Sequence, residues 1–202
     1  MKEPLFAQTS CIILAAGNSV RMGEHKALLK FDSQKTFIQN ITETYLQSDI
    51  EQVIVVVNSE LFKLISESSP ELNRKASLIV NEHPERGRFY SLQTGLKQLQ
   101  TGNSCFFQNI DNPFTSGELL KKLILYKDQA DVIIPSYQGR AGHPVLISQS
   151  VAQEILLAED SDLRIDVFLK KFKIKKVTTT ERSISANINS REDYLEAGLN
   201  IY

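Results

Sequence analysis

The 202-residue chain has few of the residues that crosslink a protein or bind zinc. It contains two cysteines, three histidines and no tryptophan. Cys11 and Cys105 both lie in apolar runs, so we expect two buried, reduced thiols and no disulfide framework. The histidines are widely separated and lack the spacing of a zinc site. These scarcities exclude a disulfide-rich or zinc-ribbon type of protein.

An excess of charge of one sign is also missing, as are long apolar runs. The formal net charge is −1, which excludes a chain-wide basic field for nucleic acid, so any phosphate site must be local. No stretch approaches the roughly 20 apolar residues of a membrane span, and residues 1–10 lack the apolar core of a signal peptide. We therefore expect a cytoplasmic protein that binds neither nucleic acid nor membrane. The length fits a single domain over residues 1–202.

Apolar, β-branched runs alternate with helical patterns along the chain. Strands are predicted at residues 11–15, 52–57, 77–80, 104–110, 131–135, 144–147, 174–179 and 184–188. Helices are predicted at residues 36–47, 61–65, 91–99, 116–126, 151–157, 163–172 and 190–197. The alternation predicts an α/β fold with three layers, a doubly wound and mostly parallel sheet between helices. Such sheets bind ligands beyond the carboxyl ends of their strands.

The most informative segment is LAAGNSVRMGEHKALL, residues 14–29. A strand that ends in a glycine loop leaves backbone N–H groups free to face an anion. Gly17 and Gly23 allow close approach of phosphate oxygens, and Arg21 and Lys26 add two cations. Five residues separate the two glycines and no Ser or Thr follows Lys26, so this is neither a Walker A loop nor a dinucleotide fingerprint. The segment predicts a polyphosphate site of another kind.

The loop after residue 80 has the features of a site for a flat base. A strand ends near Asn81, and Gly87 and Ser91 follow in a polar stretch. The Gly87 N–H and the Ser91 hydroxyl can face a ligand from such a loop. A second interpretation makes Ser91 the N-cap of the helix that opens there. Both interpretations stay open.

Two further loops carry groups that suit phosphate chemistry. Asp111 directly follows an apolar strand, where a carboxylate can ligate Mg²⁺, although it can also form an Asx-turn. In YQGRAGHPV, residues 137–145, Arg140 suits an acceptor phosphate. His143 can carry a proton near neutral pH, but we favour a structural hydrogen-bonding role with a substrate contact.

The pattern Leu-Ala-Ala-Gly-x-Ser-x-Arg-Met-Gly-x-x-Lys-x-Leu-Leu resembles the signature of the MobA-like NTP transferase family, and most closely the MocA-type molybdenum cofactor cytidylyltransferases. The resemblance extends over nearly all of the chain. It implies a nucleotide-diphospho-sugar transferase-like, Rossmann-like fold, an NTP substrate, Mg²⁺ and release of pyrophosphate. It also implies catalytic roles for Arg21 and Lys26, and it allows a protein partner among molybdoenzyme maturation factors. The nucleotide contacts that it implies are Leu14, Ala15, Ala16, Gly17, Asn18, Ser19, Arg21, Lys26, Asn81, Gly87 and Ser91.

The same resemblance implies a metal site and an acceptor site. Asp111 and Asn187 would hold Mg²⁺, and the acceptor would contact Arg140, His143, Asp160 and Arg164. The chain departs from the family pattern at Asn187 and Asn189, which replace acids, and at Asp162, which replaces a glycine. An asparagine offers a metal a carbonyl oxygen but no charge.

Three functions follow from these observations. The first is Mg²⁺-dependent transfer of CMP from CTP to a small phosphorylated acceptor such as molybdopterin. CTP is favoured because Ala16 stands where the family's guanylyltransferases have a glycine, and its Cβ narrows the space beside the base. The second keeps the chemistry with a sugar phosphate or phospho-alcohol as acceptor. The third is an accessory protein that binds NTP without turnover, which the three departures keep open.

Overall fold

The computed structural model describes residues 4–17, 24–100, 102–159 and 163–199. Within these residues eight strands form one sheet in the order β3-β2-β1-β4-β7-β5, and β6 and β8 both pair with β5. The strands are β1 (Thr9–Leu14), β2 (Gln52–Val57), β3 (Ser77–Val80), β4 (Ser104–Asn109), β5 (Val132–Tyr137), β6 (Arg140–Ala141), β7 (Val145–Ile147) and β8 (Ile174–Thr178).

The sheet is mostly parallel, as the alternation of elements predicts. Neighbours among β1 to β4 run parallel, as do β5 and β8. Strand β7 runs antiparallel to both β4 and β5. This explains why its segment falls out of the strand–helix rhythm of the sequence. All six residues of β1 are buried, which is typical of a strand covered on both faces.

Helices cover both faces of the sheet and complete the three layers. The helices are α1 (Phe37–Leu46), α2 (Ser59–Ser68), α3 (Pro70–Lys75), α4 (Gly87–Leu96), α5 (Gly117–Ile124), α6 (Gln149–Leu157), α7 (Ile165–Phe168) and α8 (Arg191–Glu196). One apolar core contains side chains of α1, α2, α3, α5 and α8, and the other contains side chains of α4, α6 and α7. No described helix is both long and apolar enough to cross a membrane.

Helix α4 approaches the sheet closely because it has a glycine on its inner face. A Cβ on Gly95 would lie 2.7 Å from Ile12 Cγ2 and 3.0 Å from Val56 Cγ2. The helix therefore lies directly over β1 and β2, and its first turn reaches the carboxyl edge of the sheet, where ligands bind in this fold class.

Three predicted elements are wrong in their bounds or type. Helix α4 begins at Gly87 and not at Ser91. Ser91 lies within the helix, and its hydroxyl donates to the Gly87 carbonyl at 3.1 Å. Residues 163–172 form the short α7 followed by a 3₁₀ turn at Leu169–Lys171. Residues 184–188 are not a strand, because the chain there makes a 3₁₀ turn at Arg182–Ser185 and then continues without regular structure.

A buried asparagine holds that turn in place. The Nδ2 of Asn112 donates to the carbonyl oxygens of Ser183, Ile184 and Ala186 at 3.1, 3.0 and 3.2 Å. The loop before β7 packs against the same turn, since a Cβ on Gly142 would lie 2.2 Å from the Ile184 oxygen. The turn thus joins the loop after β4 to the loop before β7.

Candidate active site

The first residues of the glycine loop are fixed to the sheet. Leu14, Ala15 and Ala16 are buried, and the Ala15 N–H donates to the Val56 carbonyl at 2.8 Å. The Asn58 amide donates to the Ala16 carbonyl at 3.3 Å and accepts from the Leu61 N–H at 2.8 Å. It therefore joins the loop to the start of α2. The predicted residues Asn18, Ser19 and Arg21 lie outside the described residues.

Lys26 is held at the other end of the loop by the C-terminal segment. Its Nζ donates to Asn189 Oδ1 at 2.8 Å. The backbone N–H groups of Asn189 and Ser190 donate to Asp193 Oδ2 at 2.8 and 2.9 Å, and the Ser190 side chain caps α8. Asn189 is uncharged, so this contact orients the ammonium group without neutralising it.

Tyr194 joins helix α8 to the segment that follows Lys26, through Lys30 and Phe37. The Tyr194 hydroxyl donates to the Lys30 carbonyl at 2.5 Å. Its ring stacks on Phe37, with 6.0 Å between the ring centroids. These contacts fix the distance between the 3₁₀ turn Lys26–Leu28 and α8. The position of Lys26 is therefore set from two directions.

Asp111 lies beside this arrangement, directly after β4. Its carbonyl accepts from the Ile188 N–H at 2.7 Å, which brings the neighbouring Asn187 to the same edge. The Oδ1 atom of Asp111 is buried and has no hydrogen-bond partner among the described residues. Burial raises the pKa of Asp111, and the nearby charges of Lys26 and Arg88 act in the opposite direction.

The buried carboxylate oxygen of Asp111 fits a hard cation. Asn187 is exposed and offers a carbonyl oxygen nearby. No group of three His, Cys, Asp or Glu side chains that could hold a metal is found in the described part of the chain. A cation here would therefore need oxygen ligands from a bound phosphate or from water.

A cavity of about 800 Å³ opens at the carboxyl edge of β4 and β5, and Asn109 and Asn187 are part of its wall. Its apolar wall includes Phe89, Phe107, Ile134, Leu163, Leu169 and Ile184. Its charged residues are five cations and two acids, namely Arg86, Arg88, Arg164, Lys170 and Lys176 with Glu85 and Asp166. An anionic molecule with a flat apolar part suits such a lining.

Four predicted site residues line the cavity, and several others lie beside it. Gly87, His143, Arg164 and Asn187 are part of its wall. The residues outside that wall are Leu14, Ala15, Ala16, Gly17, Lys26, Asn81, Ser91, Asp111 and Arg140. The structure thus separates a loop side, which carries most of the predicted nucleotide contacts, from the cavity. Asp160 is not among the described residues.

The Ser91 hydroxyl is occupied inside the protein. It donates to the Gly87 carbonyl and accepts from Asn81 Nδ2 at 3.0 Å. Asn81 Oδ1 in turn accepts from the His83 N–H at 2.8 Å. These contacts hold the loop that carries Gly87, whose φ of +82° suits a glycine. The structure therefore gives Ser91 a supporting position and places Gly87 at the cavity.

His143 takes the structural position that we favour from the sequence. Its ring Nε2 lies 2.9 Å from Asn109 Nδ2, and its backbone N–H donates to the Ile184 carbonyl at 2.8 Å. Burial, with a smaller contribution from the Arg88 charge, lowers the pKa of His143 to about 4. The imidazole is therefore neutral at pH 7, where it accepts a hydrogen bond and carries no charge.

Arg164 and Arg140 differ from their predicted surroundings. Arg164 forms a two-pronged ion pair with Asp166, at 3.0 Å from Nε to Oδ1 and 3.1 Å from Nη2 to Oδ2. Arg140 lies exposed on β6 and does not line the cavity. The Arg164 guanidinium is therefore occupied by a protein carboxylate, and Arg140 lies outside the cavity wall.

Sequence reasoning overlooked Arg88. It is the second residue of α4, is exposed and lines the cavity. Its charge acts on both Asp111 and His143. The available signal was a cation directly after Gly87 in a loop already predicted to face a ligand. Asn109 and Asn58 were also overlooked, because an asparagine at a strand end has many structural uses.

The doubly wound sheet, the glycine loop and the cationic cavity at its carboxyl edge define an α/β nucleotide-binding transferase. Residues 11–175 match the family model of the MobA-like NTP transferase domain. The chain therefore belongs to the MobA-like NTP transferase family and is a nucleotidyltransferase of that type.

Two curated relatives and one solved structure illustrate the similarity. A probable molybdenum cofactor guanylyltransferase of Natranaerobius thermophilus is 29% identical over 93% of this chain and 94% of its own length. The molybdenum cofactor cytidylyltransferase of Escherichia coli is 28% identical over 69% of each chain. A Mycobacterium tuberculosis protein crystallised with manganese has a TM-score of 0.77 at 16% identity, covering 94% of this chain and 97% of its own. The last comparison supports the fold.

Proposed function

We propose that this protein, as a single domain over residues 1–202, transfers CMP from CTP to the phosphate of molybdopterin in a Mg²⁺-dependent reaction that releases pyrophosphate. The observation that carries this proposal is the juxtaposition of three features. Lys26 is fixed at the end of the glycine loop, the charge of Lys26 acts on Asp111, and Asn109, two residues before Asp111, lines a cationic cavity. A nucleotide on the loop side and an acceptor in the cavity would meet at Asp111.

The reaction is attack by an acceptor phosphate oxygen on the α-phosphorus of the NTP. A new P–O bond forms, the bond from the α-phosphorus to the β-phosphate oxygen breaks, and pyrophosphate leaves. The attacking oxygen is already anionic, so positioning and charge neutralisation replace general base catalysis. The neutral, hydrogen-bonded His143 agrees with a site that needs no base.

The cationic side chains of the loop have separate tasks in this proposal. Lys26 offsets charge at the α-phosphate as the bond to pyrophosphate breaks, and its contact with Asn189 fixes its direction. Arg21 would bind the outer phosphates. Asp111 and Asn187 would hold Mg²⁺, which supplies positive charge to the phosphates when bound. The manganese found in the related fold is consistent with such a site.

The cavity suits molybdopterin because that acceptor joins a phosphate to a flat pterin. The apolar wall can cover the ring system and the cations can bind the phosphate. Arg164 and His143 are on this wall, so they remain proposed acceptor contacts with Arg140 and Asp160. For Arg164 to bind the phosphate, its two hydrogen bonds to Asp166 must be replaced by hydrogen bonds to the ligand.

The choice of CTP depends on Ala16. Its side chain is buried at the end of β1 and its carbonyl is bound by Asn58, so the Cβ cannot easily move away from a base beside it. GTP is the second candidate donor, because a relative that matches nearly the whole chain is named a probable guanylyltransferase. We also propose a protein partner among molybdoenzyme maturation factors, and this proposal does not depend on whether CTP or GTP is the donor.

Pyrophosphate release tests this function. The protein is incubated with Mg²⁺, each NTP in turn, and either molybdopterin or a panel of sugar phosphates and phospho-alcohols. Release that needs both CTP and molybdopterin is expected, and the Asp111→Asn variant is the inactive control. Release with a sugar phosphate alone would move the function to the second acceptor class. NTP binding without any release would identify an accessory protein.

A further inference from the structure

The cavity contains three arginines, and they differ in what already binds them. Arg164 is paired with Asp166 through both prongs of its guanidinium. The Arg86 guanidinium carbon lies 4.0 Å from the centre of the Tyr90 ring. Arg88 forms no hydrogen bond or salt bridge with any described residue, although it is in the cavity wall. Of these three guanidinium groups, that of Arg88 has no such contact within the described part of the chain.

The position of Arg88 is fixed by its backbone. It follows Gly87, where the chain turns with a φ of +82° into helix α4. The next residue, Phe89, is 2% exposed and packs in the core with 5.2 Å between its ring and that of Phe168. Because the neighbours on both sides are constrained, the Arg88 side chain leaves the helix toward the cavity.

Arg88 and Lys26 act on Asp111 from different parts of the chain. Lys26 belongs to the loop side, where Asn189 holds it. Arg88 belongs to the cavity side, where its charge also reaches His143. The loop side, with Lys26, and the cavity side, with Arg88, therefore each carry a cation whose charge acts on Asp111. Two anionic substrates that must approach each other need such a cation on each side.

We propose that Arg88 binds the phosphate of the acceptor and holds one of its oxygens toward the α-phosphorus of the nucleotide. This proposal rests on the proposed function, because it assumes an acceptor that carries a phosphate. The guanidinium fork matches two oxygens of a phosphate and leaves the third for attack. Arg88 would thereby decide that the acceptor is a phosphate monoester rather than an alcohol.

The test compares Arg88→Ala and Arg88→Lys with the wild type, with molybdopterin as the varied acceptor and the NTP as the varied donor in turn. Arg88→Ala should raise the KM for molybdopterin about tenfold or more and lower kcat, while the KM for NTP stays within about twofold. Arg88→Lys should lie between, because it keeps the charge and loses the fork. The exposed Arg74→Ala on α3 is the matched control for a lost charge, and it should change neither KM.

A second measurement separates this proposal from the proposed function. Molybdopterin binding without NTP is measured by isothermal titration calorimetry for the wild type and each variant. Binding that weakens in Arg88→Ala supports Arg88 even if the wild type transfers no nucleotide. Turnover with a KM for molybdopterin unchanged in Arg88→Ala would overturn the Arg88 proposal and leave the function intact. A wild type that neither binds nor converts molybdopterin overturns both.

Discussion

At the scale of single residues, the hydrogen bond to Asn189 helps to orient the ammonium group of Lys26. Asn189 holds the Nζ at 2.8 Å without neutralising it. Replacing Lys26 by Ala removes one charge-assisted contact, so we predict that NTP affinity or turnover falls about tenfold or more. Titration with NTP measures this loss. The control is Lys30→Ala, which should behave like the wild type. Lys30 is exposed, and only its backbone carbonyl, which the substitution keeps, accepts the hydrogen bond from Tyr194.

The metal site is the second test at this scale. Asp111 brings a carboxylate and Asn187 a neutral carbonyl, so Mg²⁺ should bind little without nucleotide. We predict that Asp111→Asn abolishes activity and that Asn187→Ala raises the Mg²⁺ concentration for half-maximal rate. Asn187→Asp should be tolerated and should lower that concentration. Rates measured against Mg²⁺ at fixed NTP decide, and an unchanged curve for Asp111→Asn would show that the metal binds elsewhere.

His143 predicts a pH dependence of stability. Its pKa falls from an ordinary value near 6.5 to about 4 in the folded protein because of burial. The unfolded chain therefore binds the proton more readily, and stability that is complete above about pH 6.5 is lost as the pH falls toward 4. Relative to His143→Gln, the wild type should lose about 2 kcal/mol of unfolding free energy between pH 7 and pH 4.5.

Urea unfolding at the two pH values measures this difference. The raised pKa of Asp111 acts in the opposite direction, but Asp111 is present in both proteins, so its contribution largely cancels in the comparison. Equal pH dependence in the two proteins would mean that His143 titrates normally.

At the scale of elements, the turn Arg182–Ser185 depends on one side chain from the neighbouring loop. Asn112 is fully buried, and its side chain contacts two carbonyl oxygens of the turn and that of Ala186, the residue after the turn. At about 1 kcal/mol for each hydrogen bond, we predict that Asn112→Ala lowers the unfolding free energy by about 2–3 kcal/mol. The exposed Asn73→Ala, which loses only a 3.3 Å contact with Ser66, should cost less than about 0.5 kcal/mol.

Elements with strong patterns could be predicted from the sequence, whereas those set by tertiary contacts could not. The strand predicted from the β-branched run at 52–57 is confirmed as β2, and the helix predicted at 116–126 is confirmed as α5. Ser91 looked like a cap, but Gly87 allows the helix to begin one turn earlier. Residues 184–188 look like a strand by composition, yet Asn112 takes the carbonyls that a sheet would need.

At the scale of the whole molecule, the sequence predicted that the candidate site lies at the carboxyl edge of the sheet. It did not predict that the cavity there is separate from the glycine loop. Motifs mark Lys26 and Asp111, because they follow a glycine loop and an apolar run, whereas Asn187 is marked only by the resemblance to the family pattern. The cavity needs α4, α7 and β8 to meet, and no local pattern encodes that meeting. The sequence hint at Arg88 was its place directly after Gly87, but its position in the cavity wall became evident only from the fold.

The mass of the product formed from molybdopterin is the most direct test of the central claim. The wild type is incubated with Mg²⁺, molybdopterin and equal concentrations of CTP and GTP, and the products are identified by mass spectrometry. We predict that molybdopterin gains the mass of CMP, with one pyrophosphate released for each product. Gain of GMP would retain the reaction and contradict the role of Ala16. Unchanged molybdopterin, with both nucleotides intact, would contradict the claim that this protein is a molybdopterin nucleotidyltransferase.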